Sequence, residues 1–84
     1  MDVLWDKLAW EDYQFWINTD QKVFQKINSL IKECQRTPFK GTGKPEPLKQ
    51  NLAGFWSRRI TGEHRLVYKI EDGILYIAQC RYHY

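Results

Sequence analysis

The 84-residue sequence has no apolar run near the roughly 18 residues that a bilayer-crossing helix needs, and its mean hydropathy is −0.64. A helical membrane span is therefore excluded, and the expectation is a cytoplasmic protein with no membrane partner. The opening residues, MDVLWDKLAW, begin acidic and lack the basic-then-apolar order of a secretory leader. Cysteine is scarce: Cys34 and Cys80 are too few for a disulfide framework, and both are expected to be reduced and structural. Cys80 and His83 are the only nearby pair of soft ligands, too few for zinc, so no metal or other cofactor is expected. Positive charge is almost missing from the first twenty residues, where Lys7 stands alone.

What is present is a chain for one domain over residues 1–84, 43% hydrophobic and 15% aromatic with four Trp. A domain of this size buries roughly 60–70% of its unfolded surface, so its core is modest and aromatic area partly compensates. The net charge of +3 is concentrated in the second half, in Lys40, Lys44, Lys49, Arg58, Arg59, Arg65 and Lys69 against Glu46 and Glu63. That balance favours an anionic partner.

Val3-Leu4-Trp5 reads as a short strand. Asp6 is a helix cap, and Ala9, Tyr13, Trp16 and Ile17 fall at helical spacing over about Lys7 to Asn18, with Glu11, Asp12 and Gln14 outward. Thr19-Asp20 is a second cap signal before a helix whose apolar stripe is Val23, Ile27, Leu30, Ile31 and Cys34, ended by Pro38. Lys22, Lys26, Lys32 and Arg36 are read as its solvated face. Residues 37–54, TPFKGTGKPEPLKQNLAG, hold all three prolines and three of the five glycines. They predict an irregular surface loop packed by Phe39, Leu48 and Leu52. Glu46, held between Pro45 and Pro47 and near Lys44 and Lys49, has the restricted position and cationic surroundings of an acid–base group; the alternative is an exposed Glu in a basic loop. Residues 55–60, 64–70 and 74–84 then read as an antiparallel meander.

Connectivity places the turn after the first meander strand beside the end of the third. Arg59, Glu63, Arg65, Arg81, His83 and Tyr84 are therefore expected on one rim. Three arginines suit phosphate oxygens, and the imidazole of His83 can hold or yield a proton near neutrality. With Glu46 as a carboxylate base, these groups would suffice to cleave RNA without a metal. Each also has a plainer reading, as a solvated charge, an ion-pair partner or an exposed terminal aromatic, and a non-catalytic basic binding surface stands beside the catalytic one.

The run KPEPLKQNLAGFWSRRITGEHRLVYKI and the closing CRYHY resemble the YoeB (Txe) branch of the RelE/ParE superfamily of bacterial toxins, over essentially the whole chain. The resemblance implies an α+β, RelE-like fold with two N-terminal helices on a small antiparallel sheet. It implies a ribosome-dependent endoribonuclease that cuts messenger RNA in the A site of the 70S ribosome. A YefM-like antitoxin with an acidic segment would neutralise it, and the toxin would form homodimers. It also implies Glu46 as general base, His83 as general acid, Arg65 as transition-state stabiliser and Tyr84 as the residue that orients or stacks on substrate. Lys49 and Arg59 would contact the RNA backbone, with Glu63 fixing the arginines; Arg81, placed on the rim by connectivity, is counted with these RNA-binding cations. The competing readings are a ParE-like inhibitor of gyrase and a simple basic RNA-binding module.

Overall fold

The computed structural model describes residues 1–84. A short strand β1 (Asp2–Trp5) leads into two helices, α1 (Lys7–Thr19) and α2 (Gln21–Arg36). Four strands follow, β2 (Glu46–Pro47), β3 (Trp56–Arg59), β4 (Arg65–Glu71) and β5 (Ile74–Gln79). Both helix starts follow from the capping residues. Asp6 accepts from Leu8 N at 3.2 Å, and Asp20 accepts from Lys22 N and Val23 N at 3.0 and 3.2 Å. Asp20 also closes α1, its own N–H donating to Trp16 O. The five apolar positions read in α2 are its buried residues, whereas α1 fully buries only Ala9 and Trp16. Asp12, expected to face outward, is a correction: its carboxylate turns inward and accepts from Cys80 N at 3.3 Å.

The sheet runs β1-β5-β4-β3-β2, with both helices on one face. Strands β2 to β5 pair antiparallel as the meander requires, and β1 adds a parallel edge against β5, Leu4 opposite Tyr76. Leu66 and Tyr68 of β4, Leu75 and Ile77 of β5 and the α2 stripe form one apolar core. Cys34 and Cys80 lie in it as free thiols. Burial pushes the Cys80 thiol up to about 12 and raises Cys34 as well.

The terminal strand is shorter than expected. It stops at Gln79, because at Cys80 the backbone leaves the ladder for α1: Cys80 O accepts the indole N–H of Trp16 at 2.9 Å, opposite the Asp12 contact on its N–H. Tyr82 then adopts a left-handed φ of 63°, which no strand accommodates.

The loop after α2 is held mainly by a charge, and less by apolar packing. Leu48 is buried, but Phe39 is half exposed with its ring against Trp56. Arg58, 0% exposed, donates to Thr42 O at 3.0 Å, to Lys40 O at 2.9 Å and to Thr37 O, and its Nε meets the Tyr68 hydroxyl at 3.2 Å. Glu33 lies 3.6 Å from the guanidinium and accepts from Thr42 N at 2.9 Å. Close approach explains two glycines here. A Cβ on Gly41 would stand 2.0 Å from Glu33 Oε1, and one on Gly43 would stand 3.1 Å from Arg58 Cβ and 3.2 Å from Arg59 O.

Candidate active site

Strand pairing sets which residues share the face of the sheet that the helices leave open. Arg59 pairs with Arg65, Ser57 with Val67, and Glu46 with Ser57. Directly paired residues project to the same side, so Glu46, Ser57, Arg59 and Arg65 stand on one surface. Like charges opposite each other across a ladder destabilise it. No carboxylate lies within ion-pair distance of Arg59 or Arg65, so the pair leaves a local excess of positive charge.

Arg65 is the more fixed of the two, at 9% exposure. Its Nη1 donates to Thr61 O at 2.8 Å, His64 O at 3.1 Å and Gly62 O at 3.2 Å, all carbonyls of the preceding turn. One edge of the guanidinium is thereby anchored, and Nε and Nη2 make no bond within the chain. Arg59 is exposed and tied down through its backbone, which donates to Gly43 O at 2.7 Å.

The C-terminal tail steps across the sheet. It leaves β5, meets β4 where Arg65 N donates to Tyr82 O at 3.0 Å, and reaches β3 and β2 through Tyr84. The Tyr84 hydroxyl donates to Glu46 Oε1 at 2.8 Å and accepts from Ser57 Oγ at 3.3 Å. The meander argument expected the tail beside the Thr61–Arg65 turn, and the Tyr82 contacts put it there. His83 is exposed, its Nδ1 3.2 Å from Tyr84 O and its ring 4.7 Å from the Tyr84 ring. It also borders a cleft of about 270 Å³ lined by Leu8, Asp12, Gln79 and Arg81. Burial raises the Asp12 carboxyl above its ordinary range in that cleft, against the lowering effect of the Cys80 amide and Arg81.

The structure thus gathers Glu46, Arg59, Arg65 and Tyr84, with Lys49 exposed three residues beyond Glu46. His83 is exposed next to Tyr84 and borders the cleft that Arg81 also lines. Two expected members of the rim lie apart. Arg81 packs over the Phe15 ring of α1, 3.6 Å from its centroid, and over Tyr82 at 4.6 Å, so its guanidinium faces the helix. Glu63 was expected to fix the arginines and instead lies 3.7 Å from His64 Nε2. Sequence reasoning missed Ser57, whose place follows from strand alternation with Arg59, and His64, whose ring sits between Trp16 and Tyr82. No sequence signal joins His64 to α1, since that contact spans the fold.

A carboxylate, two arginines and a phenol on one surface, with an exposed imidazole on the residue next to that phenol, can bind a phosphodiester and exchange protons with it. A family model described as the YoeB-like toxin of bacterial type II toxin–antitoxin systems matches residues 5–84. Toxin YoeB of Escherichia coli strain K12 is 61% identical over 84 residues, with 100% of each chain covered. Among solved structures, the YoeB/ParE toxin from Agrobacterium tumefaciens superposes with a TM-score of 0.96 at 53% identity over 100% of both chains. A YoeB-YefM complex from Staphylococcus aureus gives a TM-score of 0.93 at 45% identity, and a YoeB dimer from that organism gives 0.93 at 46%, each covering 100% of this chain and 98% of the other. Matched along its whole length in sequence and in fold, the chain belongs to the YoeB-like toxins of bacterial type II toxin–antitoxin systems.

Proposed function

We propose that the chain acts as one toxin domain over residues 1–84, an endoribonuclease that enters the A site of the 70S ribosome in the cytoplasm and cuts messenger RNA there. The observation that carries this reading is the 2.8 Å contact between Tyr84 and Glu46, which brings the phenol onto the loop carboxylate, on the face of the sheet that carries two unpaired arginines.

Glu46 is the general base. Its Oε1 holds the Tyr84 hydroxyl, and Oε2 is open to accept the proton of a ribose 2'-hydroxyl. The 2'-oxygen then attacks phosphorus, and the charge that builds on the pentacoordinate phosphorus falls to Arg65, whose anchored guanidinium keeps Nε and Nη2 for phosphate oxygens. His83 gives its proton to the departing 5'-oxygen as the P–O5' bond breaks. The products are a 2',3'-cyclic phosphate, or the 3'-phosphate after hydrolysis, and a 5'-hydroxyl. Tyr84 orients the substrate from its place on Glu46. Lys49 and Arg59, both exposed, contact the RNA backbone, and Arg81 adds positive charge at the edge of the surface. Glu63 faces the His64 ring at 3.7 Å and adds negative charge at the corner of the surface. Each proton and charge has a side chain assigned to it, so the proposal includes no metal.

The S. aureus YoeB-YefM complex and YoeB dimer support a YefM-like antitoxin and a second copy of this chain as partners. End-group analysis of the cut message tests the chemistry. Cyclic-phosphate or 3'-phosphate and 5'-hydroxyl ends are expected; 5'-phosphate ends would contradict the assigned acid and base. Inhibition of gyrase supercoiling with no RNA cut would favour the ParE-like reading.

A further inference from the structure

His64 immediately precedes β4 and lies between α1 and the tail. Its ring packs edge-on to Trp16, with centroids 4.8 Å apart, and its side chain is 12% exposed. Nδ1 accepts the main-chain N–H of Tyr82 at 2.7 Å. A peptide N–H can only donate, so Nδ1 carries the lone pair and the ring proton sits on Nε2, toward Glu63.

The contact has conformational weight. Tyr82 has a φ of 63°, a left-handed backbone that a bulky L residue seldom adopts without being held there. It is held there from both sides, its N–H on His64 and its carbonyl on Arg65 N, with Gln79 Nε2 adding bonds to Arg81 O at 2.9 Å and Tyr82 O at 3.4 Å. The Asp12 and Trp16 contacts stop at Cys80. Tyr84 is anchored again by its hydroxyl on Glu46 and Ser57, so His83 lies between two fixed points and the turn at Tyr82 sets the path of the backbone toward it.

We propose that His64 is a positioning residue for the reaction: as a neutral Nε2–H imidazole it latches the Tyr82 turn and so sets where His83 stands between that turn and the anchored Tyr84, and a proton on Nδ1 loosens it. The inference rests on the reading of His83 and Tyr84 as groups that act on RNA. A proton and the Tyr82 amide compete for one lone pair, so acidification weakens the latch. Four charged groups surround the ring. Glu63 faces Nε2, and Arg65 bonds the carbonyl of His64 itself. Asp12 of α1 lies within Coulomb range of the ring, and Arg81 lies on the tail over Tyr82. Trp16 brings no charge. The direction is opposite to that for His83, which as general acid needs its proton.

Two substitutions separate the latch from packing. His64→Asn keeps an acceptor oxygen near the place of Nδ1 and does not titrate; His64→Leu fills the space against Trp16 and accepts nothing. Hydrogen exchange at the Tyr82 amide of the free protein is read across pH, together with single-turnover cleavage of a ribosome-bound message at saturating protein. Wild type is expected to protect the Tyr82 amide near neutrality and to lose protection as the pH falls. The Asn variant keeps protection throughout, and the Leu variant has none at any pH. At neutral pH the Leu variant should cut on the order of 10- to 100-fold more slowly, the scale of a displaced catalytic group, with ribosome affinity unchanged. The Asn variant should stay near wild type and hold its rate further into acid. A Leu variant that cuts like wild type overturns the proposal. Equal losses in Asn and Leu would reduce His64 to a packing residue. If wild type itself fails to cut, the catalytic reading falls and takes the reaction role of His64 with it, while the Tyr82 amide still reports whether the latch exists.

Discussion

Arg58 and Arg59 are neighbours in sequence with opposite environments. Arg59 is exposed on the open face, and Arg58 is fully buried among three loop carbonyls, Tyr68 and Glu33. Removing the buried guanidinium leaves three loop carbonyls and the Tyr68 hydroxyl without their donor and opens a cavity, so Arg58→Ala should cost about 3–5 kcal/mol in urea unfolding, against about 0.5 kcal/mol or less for Arg59→Ala. The alternation that puts Arg58 on the core side with Trp56 and Ile60 is visible in the sequence. Its acceptors are not, because they come from the main chain of a loop with no signature for them. Glu33 supplies a second outcome at this scale. Hydrogen bonds from Thr42, and then the Arg58 charge, lower its pKa below the ordinary 4.5. The stability this contributes is complete above about 4.5, where the unfolded carboxyl is ionised, and is lost as pH falls through the lower folded value. Unfolding measured from neutral pH into acid should show this loss in wild type and a smaller one in Glu33→Gln.

The elements were read best where the side chains of a segment make its own ends. Asp20 serves both helices, and Asp20→Ala should lower stability by about 1 kcal/mol, the usual worth of an N-cap, measured by thermal or urea unfolding. The α2 stripe was legible for the same reason, since its spacing alone determines its buried face. The end of β5 was not. ILYIAQCRYHY continues a strand pattern to the last residue, but Asp12 and Trp16, more than sixty positions earlier, turn the chain out of the sheet at Cys80. The 37–45 loop shows the same limit. Gly43 has a φ of +86° and almost no room for a Cβ between Arg58 and Arg59. Gly43→Ala should destabilise by about 1–3 kcal/mol, with the loss of amide protection greatest around residues 37–45, which carry the chain to Glu46.

At the scale of the whole molecule, the fold is a means of bringing a loop carboxylate and a chain end to one surface from positions 38 residues apart. The meander alone required the tail to finish near the Thr61–Arg65 turn, so much of the candidate site could be assembled on paper. What connectivity could not give was direction. It placed Arg81 with Arg59 and Arg65, yet the Phe15 ring holds Arg81 against α1. It also left Glu46 outside the rim, because pairing of Glu46 with Ser57 depends on a two-residue strand too short to announce itself. The central claim is that this surface cuts messenger RNA on the ribosome through His83. Primer extension on a defined message, naked or in a translating 70S complex, with wild type and His83→Ala, tests it most directly. The expected result is cleavage within the A-site codon by wild type alone and only on the ribosome, with the variant still bound. Equal cutting by His83→Ala, or no cutting by wild type under any condition, would contradict the account.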